Sequence, residues 1–220
     1  MIPLASIVGV IFAIRYVSDT ATGLTYLALV AVPPLAAVAL GWAMRGADLR
    51  LVPIAGVLFV LAWTLRASLA GEAAAAILDG LSCVTLGVLL ASVAPAGWLK
   101  LGIIAMSAAD VWLVASDLLQ APNATLSAAA PAGGLPQLQS ELFGSVSLGY
   151  GDLFVAGVFG AVLAREGRRQ GRAALLTFAL AVVFDLLFFV VRELPATVPV
   201  AVALAVTELV PVAARRRRGA

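Results

Sequence analysis

Between residues 22 and 44 no side chain carries a charge, and comparable apolar runs recur to the end of the chain. A helix crossing the hydrocarbon core of a bilayer needs about 20 apolar residues, since each rises about 1.5 Å against a thickness of about 30 Å. Eight stretches are predicted to span on this ground: 2–17, 22–44, 51–70, 73–94, 99–120, 143–164, 173–192 and 194–213. The 220-residue chain is 63% hydrophobic and 12% charged, whereas a soluble domain is about 45–50% apolar and about 25% charged. A core of this size does not hide so much apolar surface. The expected fold class is therefore all-α, a polytopic transmembrane helical bundle of about eight spans.

The first apolar run lacks a basic leading segment and a small-residue cleavage site, so it reads as a short first helix. Most connectors are brief: 45–50, 95–100 and 165–172. The exception is 121–142, rich in Ala, Pro, Gly, Ser and Gln, which reads as a flexible or partly helical loop. Arg45 and Arg50, then Lys100, then Arg165, Arg168, Arg169 and Arg172, then Arg215 to Arg218 follow the second, fourth, sixth and eighth predicted spans. Basic residues mark cytoplasmic ends, so both termini are expected in the cytoplasm and the 121–142 loop outside.

The net charge of +2 sits at these segment ends, which argues for topology and membrane lipids and not for nucleic acid. With one cysteine, Cys83, and no histidine, a disulfide framework, a zinc site and a haem site are not expected, and no cofactor is implied. The Ala/Arg-rich composition reads as prokaryotic, which places the protein in a prokaryotic cell membrane.

Residues 147–152, SLGYGD, look at first like a potassium-selectivity filter. Such a filter has its aspartate at the outer mouth and a full helix after it. Only the twelve uncharged residues Leu153 to Ala164 follow Asp152 before Arg165. They cover about 18 Å of a core about 30 Å thick, so the filter fails on length. Placed within the span 143–164, Asp152 instead falls near mid-membrane, where a carboxyl by default marks function.

A second carboxyl matches it. Asp110 lies ten residues from the outer end of the span 99–120, and Asp152 nine residues from the outer end of the next span. Antiparallel neighbours would hold the two at one depth. Two carboxyls in one site divide acid and base roles: one takes a proton from water while the other protonates the scissile carbonyl oxygen. Gly149 and Gly151 admit a backbone close to Asp152. Asp117 lies near the outer rim and reads as interfacial. Asp79 and Asp185 are further intramembrane acids, and Asp185, mid-span in 173–192, is expected to be structural, stabilising the aspartate pair's surroundings or pairing with Arg66 or with a hydroxyl such as Ser82.

LGYGDLFVAGVFGAVLA (148–164) resembles the Gly-x-Gly-Asp motif of the intramembrane aspartyl proteases, the family of signal peptide peptidase and presenilin. AADVWLV (108–114) is similar to the family's Tyr-Asp motif, with Ala109 in place of the tyrosine. LPATVPVAVAL (194–204) resembles its Pro-Ala-Leu element, with Thr197 in place of the leucine. Tyr150 stands where leucine is common, and four upstream spans are counted where the family has five, so the bundle holds eight spans or nine.

The resemblance covers roughly 99–205. It implies a scaffold of transmembrane helices over 1–98 and a catalytic unit over 99–220. It further implies catalytic Asp110 and Asp152, with Gly149, Tyr150, Gly151, Pro195, Ala196 and Thr197 supporting the site or binding substrate. Transmembrane helices or signal peptides would be the substrates, and water the co-substrate. The inferred orientation matches the signal peptide peptidase branch. The alternatives are a prepilin-peptidase-like protease, a proton-coupled transporter using Asp79 and Asp185, and an inactive homologue.

Overall fold

The structure, a computed structural model, describes residues 19–118, 120–143, 146–189 and 194–218. The predicted first span, 2–17, and the charged pair Arg192 and Glu193 lie outside these residues.

Helix α1 (Asp19–Val38) runs through Pro33 and Pro34 and ends in a π-helical turn, Ala39–Ala43. Helix α2 (Val52–Thr64) carries a proline in its first turn, where the missing N–H costs nothing. Ser68 caps α3 (Leu69–Val93) by accepting from the Gly71 amide. Helix α4 (Ala96–Ala115) follows after Pro95. The long connector is partly helical, as the sequence predicts: α5 (Gln120–Ala128) and a 3-10 turn at Ala132–Gly134. Two antiparallel strands, β1 (Ser140–Phe143) and β2 (Val146–Gly149), pair from Ser140↔Gly149 to Phe143↔Val146. Helices α6 (Tyr150–Arg165), α7 (Gln170–Asp185) and α8 (Val198–Arg218) complete the chain.

The outcome is a helical bundle with one small hairpin. Three helices are long and apolar enough to cross a membrane among the described residues: Thr20–Ala43, Leu69–Val93 and Ala96–Ala115. Leu49–Thr64 and Val198–Leu209 are apolar but shorter. The predicted span 143–164 is corrected at its start, because 140–143 pairs with 146–149 as two strands and the helix begins only at Tyr150.

Large apolar side chains face outward, among them Val93 (80% exposed), Val30 (74%) and Trp42 (71%). Small ones are buried, including Ala36, Ala39, Ala203 and Ala62. Water does not favour such an outer face, whereas lipid tails are as apolar as leucine and close helix packing there relies on small residues. The tightest approach joins α3 and α6. A β-carbon on Gly157 would lie 2.5 Å from the Cys83 carbonyl oxygen, and one on Gly87 would lie 2.6 Å from the Gly157 carbonyl. One apolar cluster joins α3, α4, α6 and α8 through Ile103, Val158, Phe159, Val162 and Leu204. A second joins α1, α2 and α3 through Val32, Ala36, Ala55 and Leu78, so α3 belongs to both.

The end of the bundle that carries Lys100 is clamped by charge. Lys100 Nζ lies 2.5 Å from Glu166 Oε1 and 3.0 Å from Glu208 Oε1. Arg168 pairs with Glu208 and, at 3.6 Å, with Glu166. Arg165 Nη1 donates to the Ala91 and Ala94 carbonyls at 2.5 and 2.8 Å, satisfying the last turn of α3. These contacts fix directions. Lys100, near the start of α4, meets the end of α6 at Glu166 and the middle of α8 at Glu208, while Asp110, further along α4, meets Thr197 just before α8, so α4 is antiparallel to both.

Candidate active site

That clamp serves as a ruler. Asp110 lies ten residues along α4 from Lys100, and Asp152 lies thirteen residues before Arg165 on the antiparallel α6. At about 1.5 Å per residue these are rises of about 15 and about 20 Å from the charged end. Both carboxyls therefore stand well above the charged end of the bundle.

The expectation that Asp152 sits in the middle of a helix is corrected. It is the third residue of α6, in the first turn. Its depth arises because α6 starts inside the bundle, with the hairpin occupying the level above it. Irregular backbone is tolerated at such depth only where protein covers it or water reaches it. The same finding removes the filter reading on structural grounds, since Tyr150 and Gly151 are helical and do not form an extended, carbonyl-lined pore.

Asp152 Oδ2 accepts from the Gly149 amide at 3.2 Å. A carboxylate in this position satisfies one of the free N–H groups at the helix start and complements the positive end of the helix dipole. Gly149 has little room: a β-carbon there would stand 3.2 Å from that oxygen. Beside Gly151 there is open space, so the face next to Asp152 is accessible.

Asp110 is half-buried on α4. Its Oδ2 accepts twice from Thr197, from the backbone amide at 3.2 Å and from Oγ1 at 2.8 Å. Thr197 is itself buried, in the turn just before α8, and the half-buried Pro195 and Ala196 lead into it. The Pro-Ala-Thr element is thus tied to the first aspartate by hydrogen bonds spanning 87 positions of sequence. On each aspartate one oxygen is held by the protein, and the other, Oδ1, has no hydrogen-bond partner among the described residues.

The remaining sequence candidates separate from this pair. Tyr150 binds α3, its hydroxyl 2.6 Å from Ser82 Oγ. Ser82 is thereby engaged with Tyr150, and Asp185 is an exposed residue at the last position of α7, where the chain passes into a 3-10 turn, Leu186–Phe189. Asp117 is exposed beyond the end of α4, with a positive φ of 56°. Asp79 is wholly buried in α3. Among the described residues no group of three His, Cys, Asp or Glu side chains has the arrangement of a metal site. A cavity of about 250 Å³ lies between α2, α3 and the segment leading to β1, with Arg66, Glu72 and Gln137 on its wall. Neither aspartate of the pair lines it.

Sequence reasoning missed two partners, the Thr197 hydroxyl for Asp110 and Ser82 for Tyr150. The first had a signal, a hydroxyl residue standing where the resemblance calls for leucine. No family model, curated protein or solved structure matches the chain.

Proposed function

We propose that the protein is an intramembrane aspartic endopeptidase that hydrolyses peptide bonds within transmembrane segments, residual signal peptides among them. Asp110 and Asp152 are its catalytic pair. The observation that supports this reading is the pair of carboxyls on antiparallel helices, each with one oxygen anchored and one uncommitted. A structural cap accounts for Oδ2 of Asp152 and leaves Oδ1 for chemistry.

In the reaction one carboxylate takes a proton from water as the oxygen attacks the scissile carbonyl carbon, and the other carboxylic acid protonates the carbonyl oxygen. Collapse of the tetrahedral intermediate breaks the C–N bond, and the leaving nitrogen receives a proton from the pair. A helical substrate must first unwind, because its amides are engaged within the helix. The two-stranded sheet directly before Asp152 offers an edge to which an extended segment can add. The open face at Gly151 supports access on the same side.

The test is cleavage of a signal-peptide-like transmembrane reporter by the purified full chain in detergent. Wild type and Asp117→Asn are expected to give product, while Asp110→Asn and Asp152→Asn each lose about 10²–10⁴-fold or more with an unchanged melting temperature. Equal cleavage by wild type and Asp152→Asn would defeat the proposal. A second reading, a proton-coupled carrier, is favoured by one observation, the fully buried Asp79 that the protease chemistry does not use. Proton flux in vesicles, abolished by Asp79→Asn and indifferent to Asp152→Asn, would establish the carrier instead.

A further inference from the structure

Tyr150 occupies the variable place in the Gly-Tyr-Gly-Asp run, two residues before Asp152 and in the same first turn of α6. Its hydroxyl lies 2.6 Å from Ser82 Oγ, and its carbonyl oxygen lies 4.0 Å from Cys83 Sγ, both on α3. Ser82 Oγ in turn donates to the Asp79 carbonyl oxygen at 2.8 Å. A serine hydroxyl has a single hydrogen. When that hydrogen is given to Asp79, Tyr150 donates in the short contact and Ser82 accepts.

The result is a directed chain, Tyr150 O–H to Ser82 O–H to the Asp79 carbonyl. Its inner members are both wholly buried. In a low-dielectric interior such bonds polarise one another and are stronger than at a surface. Two turns further along, α6 touches α3 again, with the Gly157 backbone against Cys83. That contact is steric and sets the distance between the helices. Because only the glycine face fits, it also limits the rotation of α6 there, and a directional bond seven residues away adds a fixed point at the helix start.

We infer that the Tyr150–Ser82–Asp79 chain is a positioning device that pins the first turn of α6 to α3 and thereby sets where the Asp152 carboxyl stands relative to Asp110. The kinetic side of this inference rests on the protease reading, and its structural side does not. The tyrosine in the motif is then an anchor directed into the scaffold. It unites the two units along α3, the helix shared by both apolar clusters.

The experiment compares full-length wild type, Tyr150→Phe, Ser82→Ala and the double variant in detergent, measuring kcat, KM, melting temperature and amide exchange. Each single change is expected to lower kcat by about ten- to a hundredfold, the scale of a small misplacement of a reacting group, with KM held within about twofold. The double variant is expected to fall no further than the worse single, because both remove the same bond. Amide exchange is expected to quicken over residues 149–154 in both singles and to stay unchanged over 99–106. Wild-type kcat and exchange in Tyr150→Phe, or losses that multiply in the double variant, would overturn the inference. Should wild type itself fail to cleave, the protease reading falls while the exchange data still decide the anchor, faster over 149–154 supporting it and unchanged defeating it. If one single variant does not fold, the other carries the comparison.

Discussion

Thr197 gives Asp110 two donors on one oxygen, a backbone amide that any residue would supply and a hydroxyl that few would. A hydrogen bond to a carboxyl is worth about 1.5–3 kcal/mol, which is about ten- to a hundredfold in rate if the interaction belongs to the transition state. Thr197→Val keeps the shape and removes only the donor, so turnover is expected to fall by about that factor while Thr197→Ser stays near wild type. Equal turnover in all three would reduce the hydroxyl to a packing group. At this scale the sequence was informative about identity and blind to partnership. Asp110 and Asp152 were visible because a carboxyl inside an apolar run is conspicuous, and Thr197 because it departs from a motif. That Thr197 reaches Asp110, and Tyr150 reaches Ser82 across 68 positions, depends on how helices pack, which a linear pattern does not record.

Among the elements, α3 and α6 approach so closely that their backbones are in contact, and glycine is required for it. A methyl group at Gly157 would collide with the carbonyl of Cys83, a backbone atom unable to swing aside, whereas Gly160 faces open space. Gly157→Ala is therefore expected to destabilise the fold by about 1–3 kcal/mol or more and to lower the melting temperature in detergent, with Gly160→Ala near neutral as its control. Similar melting temperatures for the two would mean that α6 shifts along α3 without penalty. Element boundaries were less legible than element identity. Hydropathy sees 143–164 as one apolar run, because Phe143, Val146 and Leu148 suit a helix in lipid as well as a strand. The hairpin exists through cross-strand pairing of Ser140 with Gly149 and Phe143 with Val146, and hydropathy carries no term for that. Burial patterns were equally hard to read. A helix with lipid outside and small residues inside is apolar all round and shows little of the two-faced periodicity of soluble helices.

For the molecule as a whole, the basic residues that marked segment ends in the sequence also fasten those ends together. Lys100, Glu166, Arg168 and Glu208 join α4, α6 and α8, while Arg165 adds α3. Only the cationic half of this arrangement was foreseen, as a topology signal. Its acidic partners were scattered singletons, and nothing in their spacing tied them to the bases. Helices α4 and α6 are thus tied by charge at one end, while the two aspartates stand toward the other.

The late start of α6 has a consequence for the surrounding bilayer. Sixteen helical residues reach about 24 Å, short of a hydrocarbon layer about 30 Å thick. A bilayer matched to this helix alone would have to thin, at a cost of fractions of a kcal/mol per Å of mismatch. On the protease reading, acyl-chain length then becomes a regulator of turnover. Reconstituted in bilayers of short monounsaturated chains, the protein is expected to turn over faster than in long-chain ones, and a rate indifferent to chain length would show that the hairpin makes up the missing height. On the protease reading, a helix this short would sit in a patch of thinned membrane, and a substrate helix drifting into that patch would be too long for it before any bond is touched.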